Sequence, residues 1–323
     1  MKRLVVIGGG TGTYVVLSGL KMFPYDISAI VSTIDSGGST GKLRDQYGAL
    51  PPGDMRQCLV ALSEAPDLWR KLFLYRFESG DFSGHNFGNI FLTALEQITP
   101  DYDEVIAMAS YILQTKGHVI PVTYNKVHLC AQYADGEIIE TEDLIDSAFH
   151  KLERVENVYL KPHAKANPEA LKAVKNAEYI IIGPGDLYTS LVPNLIVDGM
   201  KDSVSKSSAQ IIYITNLMTK PGQTPHYTIR DHVKDIERYL GRKISILLVN
   251  NKPIPKDVLK YYKKYGAELV LDDADEKEYD VIRRDLLAPG SLRQSDSDTV
   301  LRSILRHDSL KIAHALHDTI GTV

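Results

Sequence analysis

Two glycine-rich turns, each directly after a short apolar strand, constrain the fold of this chain most strongly. The first strand, Leu4–Ile7, runs into GGGTGT (8–13), and the second, Ile27–Ile34, runs into DSGGSTG (35–41). Glycines after a strand let the backbone turn tightly and leave N–H groups free to face an anion. A helix that starts at the turn adds its positive N-terminal end. Two such turns on neighbouring strands predict a groove that binds a phosphorylated ligand at more than one point.

Strands alternate with helices along most of the chain, which indicates an α/β fold with a mostly parallel sheet covered on both faces. The predicted strands are 3–7, 27–33, 119–122, 127–133, 137–140, 155–160, 179–182, 211–214, 244–249, 268–271 and one near Val281. The predicted helices are about 11–22, one from Gly53, 68–77, 87–98, 103–114, 168–175, several in 187–205, 229–240, 255–265 and those from about 297.

The predicted organisation is one domain over residues 1–323, with two additions. A helical subregion spans about 53–115. The Asp-Gly turn in Ala134–Gly136 is a hairpin signal. It predicts a small antiparallel β-hairpin insertion at about 127–140.

Composition excludes several classes of protein. With 323 residues, 44% hydrophobic and 24% charged, the chain has the make-up of an ordinary globular protein, and its net charge of −4 gives no basic surface for nucleic acid. Cys58 and Cys130 are too few for a disulfide framework or a thiolate metal cage, and their apolar neighbours predict buried thiols. Neither a signal peptide nor an apolar run of about 20 residues is present. We expect a cytoplasmic protein without membrane insertion.

The first turn fits a dinucleotide fingerprint only in part. Gly8 and Gly10 match G-x-G-x-x-G, but Thr13 stands at the third glycine position. Asp35 ends the second strand, where an acid can hold a ribose hydroxyl or a divalent metal. A nucleotide ligand is therefore predicted, whereas hydride transfer is not implied. The expected phosphate cradle of the first turn comprises Gly9, Gly10, Thr11 and Gly12.

The second and third turns add donors to the same groove. The second, GGSTGK (37–42), lacks the P-loop spacing but offers the backbone of Gly37, Gly38 and Ser39. Ligands of parallel sheets collect outside the carboxyl ends of the strands, where the strand order reverses. The third turn, GPGD (183–186), and the end of strand 211–214 lie at that edge. They add Gly183, Gly185, Asp186 and Asn216 to the predicted site.

Two further segments have a structural and a functional interpretation of similar weight. Asp54 begins a helix behind Pro51-Pro52, where it serves as a cap or first-turn acid, or contacts a ligand. In GHNFGN (84–89), Asn86 is a natural N-cap. Because two glycines flank them, His85 and Asn86 are equally well placed to contact a substrate.

Taken together and in order, these motifs closely resemble those of the YvcK or gluconeogenesis factor family. That family lies within the superfamily of CofD, the phospholactate transferase of deazaflavin-coenzyme synthesis. The resemblance covers essentially the whole chain. It rests on GGGTG (8–12), TIDSGGSTGKLRD (33–45), PPGDMRQCLVALS (51–63), GHNFGN (84–89), IIGPGDLYTSLVPNL (181–195), TNLMTKPGQTPHYT (215–228) and ILRHDSLKIAHAL (304–316).

The resemblance implies a three-layer α/β/α Rossmann-like fold and a cytoplasmic bacterial protein needed for peptidoglycan integrity, cell shape and growth on gluconeogenic carbon sources. Its implied ligand is a UDP-sugar such as UDP-N-acetylglucosamine, with an NAD-like dinucleotide accepted in the same groove. In the transferase relatives the acid that matches Asp35 helps to hold a divalent metal, here expected to be Mg²⁺. Approximate alignment makes Tyr262 a partner of a uracil ring and Arg306 a ligand contact. Family members often carry a second acid where this chain has Ser36, and this difference argues against a metal-dependent transferase activity.

Three functions remain open from the sequence. The leading hypothesis is a UDP-sugar-binding regulator. The alternative is a Mg²⁺-dependent transferase of a phosphorylated group, with Asp35 on the metal and an acceptor pocket around His85 and Asn86. A third is a structural partner protein whose nucleotide site is vestigial. Besides the small-molecule nucleotide, a second copy of the chain and regulators of cell-wall synthesis are the expected partners.

Overall fold

A computed structural model describes residues 1–99, 101–289 and 304–322 of the chain. The main sheet of this part has seven strands, all parallel, in the order β10-β9-β8-β7-β1-β2-β3. The strands are β1 Arg3–Gly8, β2 Asp26–Val31, β3 His118–Pro121, β4 His128–Tyr133, β5 Ile138–Glu140, β6 Val155–Lys161, β7 Tyr179–Ile182, β8 Gln210–Ile214, β9 Ile246–Asn250 and β10 Asp280–Arg284.

Helices connect and cover these strands. They are α1 Gly10–Leu20, α2 Gly38–Tyr47, α3 Pro52–Leu62, α4 Asp67–Leu74, α5 Phe87–Ile98, α6 Tyr102–Leu113, α7 Glu142–Asp146, α8 Pro168–Asn176, α9 Val192–Leu195, α10 Met200–Lys206, α11 Ile229–Leu240, α12 Lys256–Lys264 and α13 Ser309–Thr322. A π-helical turn over Leu187–Leu191 precedes α9. Within the described residues no helix has the length and apolar character required to cross a bilayer.

The central strands are apolar on both faces because each face packs against its own core. Along β1, Leu4 and Val6 belong to one buried cluster, which includes residues of α1, α3 and α13. The alternate residues Val5 and Ile7 belong to a second buried cluster, with residues of α8, α11 and the small sheet. Successive side chains of a strand point to opposite faces of the sheet, so β1 contributes apolar residues to both cores. The predicted α/β fold with a mostly parallel, two-sided sheet is confirmed.

The predicted antiparallel hairpin is present and gains a third strand. β4 pairs with β5 around the Asp-Gly turn, with Cys130 opposite Glu140. β6 also pairs antiparallel with β4, so the small sheet has the order β5-β4-β6. Its helix α7 carries Glu142 and Asp146 toward the carboxyl end of the main sheet, where both line a cavity.

Two predictions of secondary structure were wrong. Residues 38–47, where no helix was predicted, form α2, although the poor helix formers Gly37, Gly38 and Ser39 stand at its start. Residues 268–271, predicted as a strand, form only an isolated bridge between Met218 and Leu269, because their backbone pairs with residues 217–219 of the loop after β8 and not with a strand of the main sheet. Of the helical region predicted from about 297, residues 297–303 lie outside the described residues, and α13 begins at Ser309.

The direction in which successive strands are added to the main sheet changes at β1. From β1 the chain proceeds to β2 and β3 on one side and to β7, β8 and β9 on the other. The glycine turns that follow β1, β2 and β7 therefore all lie at the carboxyl edge around this switch point, where α/β sheets bind ligands.

Candidate functional site

Two adjoining cavities open at this edge. The first, which we call the glycine cavity, has a volume of about 280 Å³ and is lined by the first and third glycine turns and by residues 216–221. The second, which we call the acidic cavity, has a volume of about 500 Å³ and is lined by the second glycine turn and by the acids of α7. Thr11 and Arg306 line both cavities, so the two adjoin at these residues, and we call them together the cleft.

The first turn packs against two neighbours that only glycine permits. A Cβ on Gly12 would overlap the carbonyl oxygen of Pro184, so this glycine brings the first and third turns into contact. A Cβ on Gly9 would overlap the carboxyl of Asp54. That carboxyl accepts a hydrogen bond from the Gly10 N–H, and Gly10 has a φ of +64°. Asp54 lies in the first turn of α3, after Pro51, and its carboxyl contacts the start of the neighbouring helix α1.

The third turn is held by a buried lysine and an asparagine. Lys220 Nζ donates to Asp186 Oδ2 at 2.6 Å and to Asp146 Oδ1 at 2.5 Å. Burial opposes the charge on Lys220, but these two carboxylates outweigh it and raise the pKa of the lysine. Asn216 Nδ2 donates to Gly185 O at 2.7 Å, and its Oδ1 accepts from the Tyr213 hydroxyl. The side chains of Asp186 and Asn216 therefore shape the turn as well as line the cavity.

Gly183 contributes differently from the other predicted residues of this turn. It has a φ of +77°, and its position lies behind the cavity lining formed by Pro184, Gly185 and Asp186. Its backbone conformation, which L side chains rarely adopt, lets β7 turn into the cavity.

The second turn presents an uncapped helix N-terminus to the acidic cavity. Gly37 occupies the N-cap position of α2, and no side chain caps the helix. Gly37, Gly38 and Ser39 all line the cavity, and a Cβ on Gly38 would meet nothing within 4 Å. The first N–H groups of a helix have no partner within the helix. This end of α2 is therefore suited to an anion.

Three half-buried acids lie together beside this helix end. Burial raises the pKa of Asp35, partly offset by hydrogen bonds from the Gly37 N–H at 2.8 Å and from Thr40. Burial and the neighbouring Asp35 raise the pKa of Asp54 to about 7. The same two causes hold the pKa of Glu142 well above its usual range. A carboxyl whose pKa is raised holds its proton to a higher pH, and in its protonated form it can donate as well as accept a hydrogen bond to a ligand hydroxyl.

The predicted metal role of Asp35 finds no ready-made cage. Among the residues that the structure describes, no group of three or more His, Cys, Asp or Glu side chains could hold a metal ion. Asp35 is engaged with Gly37, Thr40 and Glu142. The donor set does not fit a resident Mg²⁺ as it stands, and we derive no chemical step through one.

His85 and Asn86 lie behind the second turn. Asn86 is 1% exposed, and its side chain caps α5 by accepting from the Asn89 N–H at 3.2 Å. His85 Nδ1 lies 3.2 Å from Ser39 Oγ, and burial lowers the pKa of this histidine. Neither side chain lines the acidic cavity, whereas Asn89, one turn further along α5, does.

The far end of the glycine cavity is more apolar. Tyr262 on α12 and Leu305 line it, and the Tyr262 hydroxyl accepts from the Leu305 N–H at 3.0 Å. Arg306 and His307 follow. His307 is 8% exposed, and burial lowers its pKa to about 4. Its Nε2 is buried and has no hydrogen-bond partner among the residues that the structure describes. The predicted residues Tyr262 and Arg306 thus reach the same cleft as the glycine turns.

Sequence reasoning missed many of the residues that line this cleft, and five of the missed polar residues illustrate the reasons. Arg56 was signalled by its place two residues after Asp54, and His307 by its place in the RHD motif, but neither was singled out for the site. Glu142 had no sequence signal, because only the small sheet brings it to the edge. Lys220 lies in the motif TNLMTKPGQTPHYT (215–228) and Asn89 in GHNFGN (84–89), but neither was singled out. These five residues are Arg56, Asn89, Glu142, Lys220 and His307.

Comparisons with known proteins identify the family of this chain. The family model described as "2-phospho-L-lactate transferase CofD" matches residues 4–287. The chain therefore belongs to the CofD-like proteins, and within them to the gluconeogenesis factor family. The "Gluconeogenesis factor" of Bacillus subtilis is 38% identical over 324 residues, which cover 98% of each chain.

Two other relatives give the same picture. A Nostoc sp. protein that carries the gluconeogenesis factor name is 44% identical over 84% of this chain, which spans 60% of that protein's length. The crystal structure of a UPF0052 family member from Bacillus halodurans superposes with a TM-score of 0.87 at 38% identity, and covers 98% of this chain and 99% of that one. The family resemblance drawn from the motifs is confirmed.

Proposed function

We propose that this chain binds a UDP-sugar, such as UDP-N-acetylglucosamine, and acts as a regulator of cell-wall synthesis and cell shape during gluconeogenic growth. One observation supports it most directly: Thr11 and Arg306 line both cavities, so an apolar end, a glycine-rich middle and an acid-lined end form one cleft. A nucleotide-sugar has the same order of base, diphosphate and sugar.

The apolar end suits a pyrimidine base. Tyr262 and Leu305 offer apolar surface, and base stacking on aromatic rings contributes roughly 1–3 kcal/mol per base. Because its pKa is about 4, His307 is neutral at pH 7, and its buried Nε2 can donate or accept one hydrogen bond. Uracil carries two carbonyl acceptors and an N–H donor on one edge. It can therefore pair with Nε2 of His307 in either tautomer of the imidazole, whether Nε2 donates or accepts.

The middle of the cleft suits a diphosphate. The α1 N-terminus presents the backbone of Thr11 and Gly12, and Arg306 lies where the two cavities join. Helix N-termini and arginine forks are the usual donors to phosphate oxygens. The sugar would then extend past Thr11 into the acidic cavity, where Asp35 and Glu142 accept or donate hydrogen bonds to its hydroxyls.

Isothermal titration calorimetry with UDP-N-acetylglucosamine tests this proposal. Replacing Arg306→Met should weaken binding by roughly 10-fold or more, since a hydrogen bond to a charged group contributes about 1.5–3 kcal/mol. Arg230→Met removes an exposed arginine on α11, outside the cleft, and should leave binding unchanged. Equal affinities of wild type and the Arg306 variant would contradict the proposal. Adding NAD⁺ as a competitor reports whether a dinucleotide occupies the same cleft.

The regulatory role is tested in cells. A strain that lacks the gene, grown on a gluconeogenic carbon source, should lose its normal shape, and the wild-type chain should restore it. The Arg306→Met chain should fail to restore shape at equal protein level, while Arg230→Met should succeed. Full rescue by the Arg306 variant would separate the cellular role from nucleotide binding.

The raised pKa of Asp54 favours one alternative, a transferase of a phosphorylated group. Asp54, with a pKa of about 7, lies beside the first turn and can take a proton from an acceptor hydroxyl at neutral pH. Incubation of the protein with a UDP-sugar, Mg²⁺ and candidate alcohols should then transfer the sugar phosphate to the alcohol oxygen and release UMP. Release that is lost in Asp54→Asn while UDP-sugar affinity is retained would favour the enzyme over the regulator.

A further inference from the structure

Two arginines of the acidic cavity have no carboxylate partner. Arg56 on α3 is 6% exposed, and its Nη1 donates to Phe73 O at 3.2 Å. Arg76, just after α4, donates from Nη1 to Gly84 O at 2.7 Å. The Nε of each is buried without a hydrogen-bond partner. In residues 1–99, 101–289 and 304–322, neither guanidinium lies within 4.0 Å of a carboxylate oxygen.

This arrangement is unfavourable as it stands. Burial and the nearby charge of Arg76 together lower the pKa of Arg56 to about 10, although Asp54 and Asp35 act in the opposite direction. A buried cation without a contacting anion retains most of its desolvation cost. An anion placed between the two guanidinium groups would offset both the burial and the mutual repulsion.

The surrounding chain is shaped to keep Arg56 in this place. In the GHNFGN motif, a Cβ on Gly88 would lie 2.7 Å from Arg56 Cδ and 2.7 Å from Phe73 O. Only glycine leaves room for the arginine stem there. The next residue, Asn89, is 3% exposed, lines the same cavity and has an Oδ1 without a partner. That oxygen is available to a ligand hydroxyl.

The α2 N-terminus supplies further donors to this cavity. It is uncapped, and its first residues line the cavity together with Arg56 and Arg76. Backbone N–H groups and two guanidinium forks therefore face one space, which is the donor set that proteins use for phosphate and carboxylate groups.

We propose that the acidic cavity contains an anion subsite, formed by Arg56, Arg76 and the α2 N-terminus, for a carboxylate or phosphate group on a hydroxylated ligand. This inference rests on the proposed function, because it assigns the part of the ligand beyond the diphosphate. The anionic group belongs either to the sugar of the nucleotide-sugar or to a separate small molecule bound beside it.

A pair of matched nucleotide-sugars tests the first source. UDP-glucuronate differs from UDP-glucose only by a carboxylate in place of the C6 hydroxymethyl group. Wild-type protein should bind UDP-glucuronate roughly tenfold more tightly in calorimetry. Arg76→Met should abolish that preference and leave the affinity for UDP-glucose unchanged. Arg56→Lys keeps the charge but not the fork, so it should retain only part of the preference.

Separate anions test the second source. With saturating UDP present, inorganic phosphate or glucose 6-phosphate should raise the melting temperature of the wild type more than that of Arg76→Met. Lys42→Met is the matched control, because Lys42 is an exposed cation on α2 that does not line the cavity. The control should behave as wild type in both experiments.

The outcomes separate this subsite from the nucleotide site. An Arg76-dependent preference for UDP-glucuronate, or Arg76-dependent stabilisation by a free anion, supports the subsite and identifies its source. If both UDP-sugars bind equally and no free anion acts through Arg76, the subsite is wrong while the proposed function stands. If neither UDP-sugar binds but phosphate still acts through Arg76, the proposed function fails and the subsite stands.

Discussion

Gly12 determines how closely the first and third glycine turns approach each other. Its missing side chain leaves space for the Pro184 carbonyl, so Gly12→Ala should force the turns apart and destabilise the protein by about 2 kcal/mol or more. Gly321, in the last turn of α13, has nothing within 4 Å of its Cβ position. Gly321→Ala should therefore stabilise slightly, by at most about 1 kcal/mol. Urea unfolding compares the two, and equal effects would show that the close approach is not required.

Asp54 makes the stability of this chain depend on pH in a defined direction. Its folded pKa of about 7 lies above its unfolded value, so between about pH 4 and 7 the folded state binds more protons. Its stabilising contribution is complete at low pH and is lost as the pH rises through 7. Asp54→Asn has no carboxyl to ionise at this position. Between about pH 4 and 7, the free energy of unfolding of the variant relative to wild type should therefore increase by at most roughly 1.4 kcal/mol per pH unit.

Urea titrations at pH 4, 5, 6, 7 and 8 measure this difference. Asp67→Asn, an exposed acid on α4, is the control and should show no change relative to wild type between pH 5 and 8. A constant difference between wild type and the Asp54 variant would mean that its carboxyl is ionised throughout.

Individual residues were predictable where a local pattern carries the chemistry. The glycines of the first turn and the position of Asp35 follow from the strand-to-turn pattern alone. The contact of Asp54 with Gly10 was left open between two interpretations, because it depends on how α3 packs against α1. That the Arg56 guanidinium has no carboxylate within 4.0 Å among the described residues could not be predicted either, because this depends on the three-dimensional positions of all the acids around it.

At the level of elements, Lys220 ties three separate segments together: the loop after β8, the third glycine turn and the end of α7. Its side chain is 16% exposed, and it holds both Asp146 and Asp186. Lys220→Met should cost roughly 3 kcal/mol, because it leaves two carboxylates facing each other without a cation. Lys252→Met breaks an exposed pair with Asp285 and should cost less than about 1 kcal/mol.

Chemical denaturation measures both losses. The double variant Lys220→Met with Asp146→Asn should recover part of the stability, since one of the two unpaired charges is gone. A cost for Lys220→Met no larger than for Lys252→Met would show that the three segments are held together by packing alone.

Elements were predicted well where hydrophobic periodicity is strong, and poorly where tertiary pairing decides. The β-strands of the main sheet and helices such as α11 have clear apolar patterns. α2 was missed because its glycine-rich start has low helix propensity. Residues 268–271 have a strand-like composition, but their backbone pairs with Leu217 and Thr219 in the loop after β8 and not with a strand of the main sheet.

At the scale of the whole molecule, the cleft is assembled from segments that are distant in sequence. Turns after β1, β2 and β7, the loop after β8 and residues 305–307 meet only because the strand order reverses at β1. The fold could be predicted from the sequence, since each strand carries its own signal. The volume, continuity and charge of the cleft could not, because they depend on how the small sheet and the closing segment before α13 pack against the edge.

Hydrogen–deuterium exchange tests whether one ligand uses the whole cleft. Saturating UDP-N-acetylglucosamine should slow amide exchange in all three peptides that cover 8–13, 183–186 and 304–307. A bound ligand stabilises the folded backbone around it and so makes local opening rarer. The groove beside β3, lined in part by 110–121, lies outside the cleft and serves as the internal control. Protection confined to 8–13 would indicate a ligand bound at the first turn alone. Protection of all three segments, lost together in Arg306→Met, would show that the ligand joins distant parts of the chain through the junction of the two cavities.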